Sequence, residues 1–324
     1  MNKKRKAYIE SCEVSYVKTA ILGGYSQKYA VEGKKKDSPI VLCLHGGPGF
    51  PIPFSVGCRG LFPEFTDQFI MVYWDQLGCG INRYEINNDF TIEHFAQMTI
   101  DLIRVLKQDF PKNKLYLFGM SWGSILALHA AMRISKFIDG VVTCGQVLSV
   151  PMFSEDTFEA IEKSSAPEKQ KKFVRELHLQ KDNFYQNGMR LSKIIRKYTD
   201  GYYNHNAKPT PMGNIMKGMM KSPDYRFKDF IAVFKNGYAK NESLMKEMAK
   251  VDLKDVLKNI SIPYKIFQGD TDIVTSTKAI MKFVDTCDNP NVSYRIILNM
   301  GHFPTFIAMQ EILKDLTQMA FKEE

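Results

Sequence analysis

Paired metal-ligand spacings are missing from this 324-residue chain. Its six cysteines, at 12, 43, 58, 79, 144 and 287, form no C-x-x-C pair. Several lie in apolar runs, where a reduced thiol packs as a small hydrophobe. Its six histidines are scattered, with no two at zinc-ligand spacing. Both absences argue against a zinc site, and the chemistry that the remaining motifs indicate needs no metal and no cofactor. No uninterrupted apolar stretch is long enough to span a bilayer. In the N-terminal MNKKRKAYIESCEV, Glu10 and Glu13 interrupt what would be the apolar part of a signal peptide. A cytoplasmic protein with no membrane partner is therefore expected. Repeats, low-complexity tracts and Gly/Ser-rich joints are absent as well.

Basic residues are plentiful. The balance of 44 Lys and Arg against 35 Asp and Glu gives a net charge of +9. The lysines are dispersed, as in Lys3-Lys4-Arg5-Lys6, Lys34 to Lys36 and Lys169 to Lys172, and no recognised binding module surrounds them. Such a distribution makes a solvated surface, so no nucleic-acid partner is expected.

Continuous apolar runs at 39–44, 69–74, 115–118, 140–144, 264–268 and 292–298 suit strands buried on both faces. Helical patterns separate them: one capped by Thr91 and running to Leu106, one after Ser121, one near 276–284 and one from about Pro304. Segments 16–21 and 27–31 read as an antiparallel hairpin at one edge. The alternation predicts an α/β fold, a mostly parallel sheet with helices on both faces. It breaks after Leu148. From Pro151 to about Asn259 only amphipathic helical segments follow, clearest at 154–161, 168–180 and 242–257. The expected organisation is a core in two parts, 1–148 and 260–324, with an all-helical cap at 149–259. That cap would cover the strands' carboxyl edge, where open α/β sheets place their sites.

The sharpest local signal is Gly119-Met-Ser-Trp-Gly123, between a short apolar run and a helical pattern. A strand entering a helix so abruptly crowds its backbone, and glycines two residues either side of Ser121 relieve the crowding. Ser121 would then present its hydroxyl at a helix N-terminus, which favours negative charge nearby. A serine hydroxyl needs a base, and the base an orienting carboxylate. His302, in Gly301-His302 after the last strand pattern, is the only histidine beyond the two downstream aspartates. Of those two, in Gly269-Asp-Thr-Asp272, the spacing favours Asp272 as orienter and leaves Asp270 to the turn. His129 falls within a helix, while His178 and His205 lie in the cap with no obvious partner. For the developing oxyanion, one donor is the N–H of Trp122. The second is placed at Gly47 in Leu44-His-Gly-Gly-Pro-Gly49, where Gly46 lets the backbone approach a substrate.

Together these residues resemble the α/β-hydrolase superfamily, and within it the proline iminopeptidase-like serine peptidases. The matching pieces are His45-Gly-Gly-Pro-Gly49, Trp74-Asp-Gln-Leu-Gly-Cys-Gly80, Gly119-Met-Ser-Trp-Gly-Ser124, the Gly269 to Asp272 turn and Gly301-His302. The resemblance implies an aminopeptidase that releases an N-terminal residue, often proline, from short peptides. It also implies acidic cap residues that hold the free amine, for which Glu155, Asp156 and Glu159 are candidates, since an ammonium leaving water needs a carboxylate. One departure is plain. Where the family usually carries D-Q-R-G-C-G-R-S, this chain has Leu77 and Ile81-Asn82. Loss of those cationic groups is expected to change the polarity of the pocket. A second reading is therefore an esterase or lipase-like hydrolase of small esters, with a Met- and Phe-rich cap lining an apolar pocket. A third, a non-catalytic binding homologue, conflicts with the intact serine, histidine and aspartate.

Overall fold

The computed structural model describes residues 3–50, 57–84, 86, 89–179, 184–205, 212–235 and 241–321. The basic N-terminal run forms α1 (Lys3–Glu10), and there the expectation of a purely solvated surface needs correcting. Arg5 is only 8% exposed, and its guanidinium donates to the carbonyls of Arg59, Gly218 and Gly57 at 2.5 to 2.6 Å. A buried guanidinium needs partners for its donors, and the three carbonyls take one bond from each of its nitrogens.

β1 (Val14–Leu22) and β2 (Tyr25–Gly33) form the edge hairpin. Next come β3 (Ile40–Leu44), α2 (Pro63–Thr66), β4 (Ile70–Trp74), α3 (Ile92–Asp109), β5 (Leu115–Met120), α4 (Trp122–Ile134) and β6 (Gly140–Cys144). After a long helical segment, β7 (Tyr264–Gly269), α12 (Thr277–Thr286), β8 (Val292–Ile297) and α13 (Phe306–Phe321) complete the chain. The eight strands make one sheet in the order β1-β2-β4-β3-β5-β6-β7-β8. Only β2 runs against its neighbours; every pair from β4 to β8 is parallel. Thr91 stands at the N-cap of α3, its N–H donating to His94 Nδ1 at 3.1 Å.

The period of two sorts each strand between two cores. Ile40, Leu42 and Leu44 of β3 face one cluster, shared with Leu102 and Leu106 of α3 and Ile125 and Leu128 of α4. Val41 and Cys43 face the other, shared with Phe65 of α2 and Met309, Ile312 and Leu316 of α13. Strand register sets where the loops leave the sheet. Leu44 pairs with Gly119, and Cys144 with both Met120 and Phe267, so the loops leaving these strands emerge together along one edge.

Between β6 and β7 lie α5 (Glu155–Lys163), α6 (Glu168–Leu179), α7 (Phe184–Tyr198), α8 (Met212–Met220), α9 (Phe227–Lys235), α10 (Glu242–Met248) and α11 (Lys254–Lys258). Helices α5, α6 and α7 share an apolar cluster containing Ile161, Val174, Leu177, Leu191 and Ile195, which reaches Met120 and Phe303 on the sheet's loops. The segment expected as one helix over 242–257 is divided into α10 and α11. Ser149 and Asp252 form an isolated bridge there, and Leu253 N donates to Leu148 O at 2.8 Å, which extends the chain between them. Gln180, the expected end of the 168–180 segment, lies outside the described residues. None of the helices among the described residues is long and apolar enough to cross a membrane.

Candidate active site

Ser121 sits where β5 turns into α4, and the surrounding glycines explain how so tight a bend is possible. A Cβ on Gly119 would lie 2.8 Å from the Gly123 carbonyl oxygen, and one on Gly123 would collide with the Leu44 carbonyl oxygen. Ser121 itself adopts φ 50° and ψ −119°, a region that L-residues avoid and that neighbours must enforce. The neighbours do so: Ser121 N donates to Cys144 O at 2.9 Å, and Ser124 N and Oγ both donate to Ser121 O, at 2.8 and 2.6 Å. The Ser124 hydroxyl in turn accepts from Val147 N at 3.0 Å. The result aims Ser121 Oγ at His302 Nε2, 2.8 Å away.

His302 lies on the loop after β8, with its Nδ1 2.9 Å from Asp272 Oδ2. A carboxylate on the Nδ1 side fixes the proton there and leaves the Nε2 lone pair facing the serine hydroxyl. Asp272 is 1% exposed and well supplied with donors. Val274 N and Thr275 N reach its Oδ1 at 2.8 and 3.0 Å; Gln268 Nε2 and Thr275 Oγ1 reach its Oδ2 at 3.0 and 2.8 Å. Buried carboxylate oxygens need such partners. Asp270 instead accepts from Met300 N at 3.0 Å, bracing the chain just before His302. The helical segment braces it too, for His302 N donates to Gly201 O at 2.8 Å and Phe303 N to Tyr202 O at 3.1 Å.

Gly46 and Gly47 lie beside this chain. A Cβ on Gly46 would sit 3.4 Å from Ser121 Cβ, and Gly47 has φ +130°. Among the described residues, neither the Gly47 nor the Trp122 N–H donates to a backbone carbonyl. Two further residues, not singled out as functional from the sequence, hold this loop against the serine turn. Gln76 accepts from Trp122 Nε1 at 2.8 Å, donates from its side chain to His45 O at 3.2 Å, and donates from its backbone to His45 Nε2 at 2.9 Å. His45 Nδ1 completes the circuit at 2.9 Å from Gly46 O. Burial pushes His45 down to about 4, keeping the imidazole neutral. The signal was present in Asp75-Gln-Leu-Gly and His45-Gly-Gly, but nothing in their spacing reveals that the two loops meet.

In front of Ser121 lies a pocket of about 260 Å³. Phe50, Met120, Met152, Met248, Val274 and Phe303 give it apolar walls. The expected amine binders are not brought to it. Glu155 is 84% exposed and lies 3.7 Å from His178; Asp156 accepts from Ser276 Oγ at 2.9 Å; Glu159 faces Lys163 at 3.4 Å. Glu155 and Asp156 stand in the first turn of α5, where acids favour the helix, and Glu159 lies one turn further on. Leu77 and Asn82 do not line the pocket either. Leu77 is fully buried in the core, and Asn82 bonds Lys28 N, Lys28 O and Asp75 O, each at 2.7 Å. Asn82 thereby ties β2 to the loop after β4. The cap histidines have partners after all: His178 packs against Phe153 and Phe158, and His205 pairs with Asp200 at 2.6 Å. Among the described residues, no three His, Cys, Asp or Glu side chains are grouped to hold a metal ion.

The pattern of the alpha/beta hydrolase fold family matches residues 39–307. The chain is 37% identical over 127 residues to the "Probable aminopeptidase YbaC" of Bacillus subtilis, a match covering 38% of this chain and only 39% of that protein. It is 25% identical over 271 residues to a proline iminopeptidase of Saccharolobus solfataricus, covering 83% of this chain and 81% of that one. Among solved structures, the proline iminopeptidase of Mycobacterium smegmatis superposes with a TM-score of 0.62 at 17% identity, covering 94% of this chain and 97% of that one. At that identity the superposition speaks for the fold alone.

Proposed function

This chain belongs to the alpha/beta hydrolase fold family, and from that premise we propose that it is a serine aminopeptidase acting on short peptides. One observation carries the proposal: the unbroken hydrogen-bonded line from Ser121 Oγ through His302 to Asp272, at 2.8 and 2.9 Å. In the proposed reaction Ser121 Oγ bonds to the scissile carbonyl carbon as its proton passes to His302 Nε2. The carbonyl electron pair moves onto oxygen, where the N–H groups of Gly47 and Trp122 receive it. Asp272 holds the Nδ1 proton and stabilises the imidazolium. His302 then returns the proton to the amide nitrogen, which departs with the C–N electrons as a free amine. An ester remains on Ser121, and water, deprotonated by the same imidazole, releases the acid. Residues 149–259 act as the cap. The relative from Saccharolobus solfataricus is named a proline iminopeptidase, which supports an N-terminal proline as the residue released.

The test is a panel of prolyl and alanyl naphthylamides, their N-blocked counterparts, and acyl esters of several chain lengths. The proposal expects free-amine substrates to be favoured by about tenfold or more, the worth of a charged hydrogen bond. Activity on blocked substrates or esters alone overturns it. One feature favours an esterase as the second reading: among the described residues lining the pocket there is no carboxylate to meet an ammonium.

A further inference from the structure

The pocket does contain one charged head of the opposite sign. Arg196, in the last turn of α7, lines it beside Tyr202 and His302. Its guanidinium carbon lies 4.9 Å from the centre of the Tyr202 ring, and that ring meets the His302 imidazole edge-on at 5.9 Å. The guanidinium is thus within about 11 Å of the imidazole. Other arginines spend their donors on acids, Arg59 on Asp224 and Arg133 on Glu93. Arg196 makes no hydrogen bond or ion pair among the described residues; its guanidinium lies over the Tyr202 face.

Position decides what such a cation can do. A histidine that takes the serine proton must hand it to the leaving group, so the leaving group lies on the imidazole's side. Arg196 lines the same pocket and is reached from that imidazole through Tyr202. Guanidinium is the side chain best matched to a carboxylate, through two parallel N–H···O bonds. An extended peptide advances about 3.3 to 3.6 Å per residue, so a terminal carboxylate one or two residues past the scissile bond is carried about 3.5 to 7 Å along a span of at most about 11 Å, the remainder being of the order of an ion pair's length.

We propose that Arg196 selects substrates whose leaving group ends in a free carboxylate, making di- and tripeptides preferred over the same peptides as amides. This rests on the aminopeptidase reading for its substrate class, and binding can be tested apart from cleavage. Ser121→Ala protein is titrated calorimetrically with prolyl-glycine, prolyl-glycyl-glycine and their C-terminal amides. The acids should bind about tenfold more tightly, the lower end of a charged pair's worth because the head group is exposed. In Ser121→Ala/Arg196→Gln the ratio should fall to within about twofold, and Arg196→Lys, which keeps the charge without the fork, should fall between. Equal affinity for acid and amide, binding of neither, or a ratio that survives Arg196→Gln overturns the inference. Should the acid preference depend on Arg196 while wild-type protein cleaves neither form, carboxylate selection stands and the aminopeptidase reading falls.

Discussion

Acid should loosen the His45 network, and the size of the effect comes from its geometry. His45 is 2% exposed, its Nδ1 proton given to Gly46 O and its Nε2 lone pair taken by Gln76 N–H. Protonating Nε2 would face one N–H against another and leave a charge in the core. Burial accordingly lowers this imidazole from 6.5 to about 4. Because the folded value lies below the unfolded one, the unfolded chain takes up a proton that the folded chain refuses between those limits. Stability is therefore fully present above about pH 6.5 and is lost as the pH falls towards 4. The difference corresponds to about 3 kcal/mol, most of which is gone by about pH 4.5. The assay is urea unfolding at about pH 7.5, 6.5, 5.5 and 4.5 for wild type and His45→Gln, with other titrating groups common to both. The variant starts less stable, and the gap should narrow by about 2 to 3 kcal/mol on going to about pH 4.5. Parallel curves, with no narrowing, would refute the reasoning.

The same contacts set two further outcomes. Asp272→Asn should lower kcat by about 10⁴, because an amide on the Nδ1 side favours the wrong tautomer, whereas Asp270→Asn should cost less than about tenfold; steady-state kinetics on one substrate compares them, and the reverse order would reassign the orienter. Gln76→Leu strands the Trp122 indole N–H and the side-chain bond to His45 O, so unfolding should cost about 2 to 4 kcal/mol less by chemical denaturation.

Much of the fold was legible because burial on both faces writes itself as continuous apolar sequence. The runs 39–44, 69–74 and 140–144 hold the fully buried strands Ile40–Leu44, Ile70–Trp74 and Gly140–Cys144, and 115–118 extended two residues further to Met120, bringing Gly119 into the sheet. The serine turn was legible for a steric reason that the glycine contacts bear out directly. The spacing also pointed to Asp272 rather than Asp270 as the residue that reaches His302. What stayed hidden lacks any period. Gln76 and His45 sit on separate loops, and only the pairing of β3 with β4 brings them together. Arg196 and Arg5 lie in basic stretches that look like solvated faces, yet one lines a pocket and the other is buried. Glu155, Asp156 and Glu159 lie off the pocket for the opposite reason: acids in a first helical turn, as the first two are, serve the helix as readily as a ligand, and Glu159 faces Lys163.

The central claim is that the imidazole of His302 activates the hydroxyl of Ser121. Reaction with a fluorophosphonate, read by intact mass and peptide mapping, tests it most directly. Wild-type protein should take up one adduct, on the peptide carrying Ser121, and Ser121→Ala should take up none. Labelling that persists in Ser121→Ala, or that maps to another residue, would contradict the account.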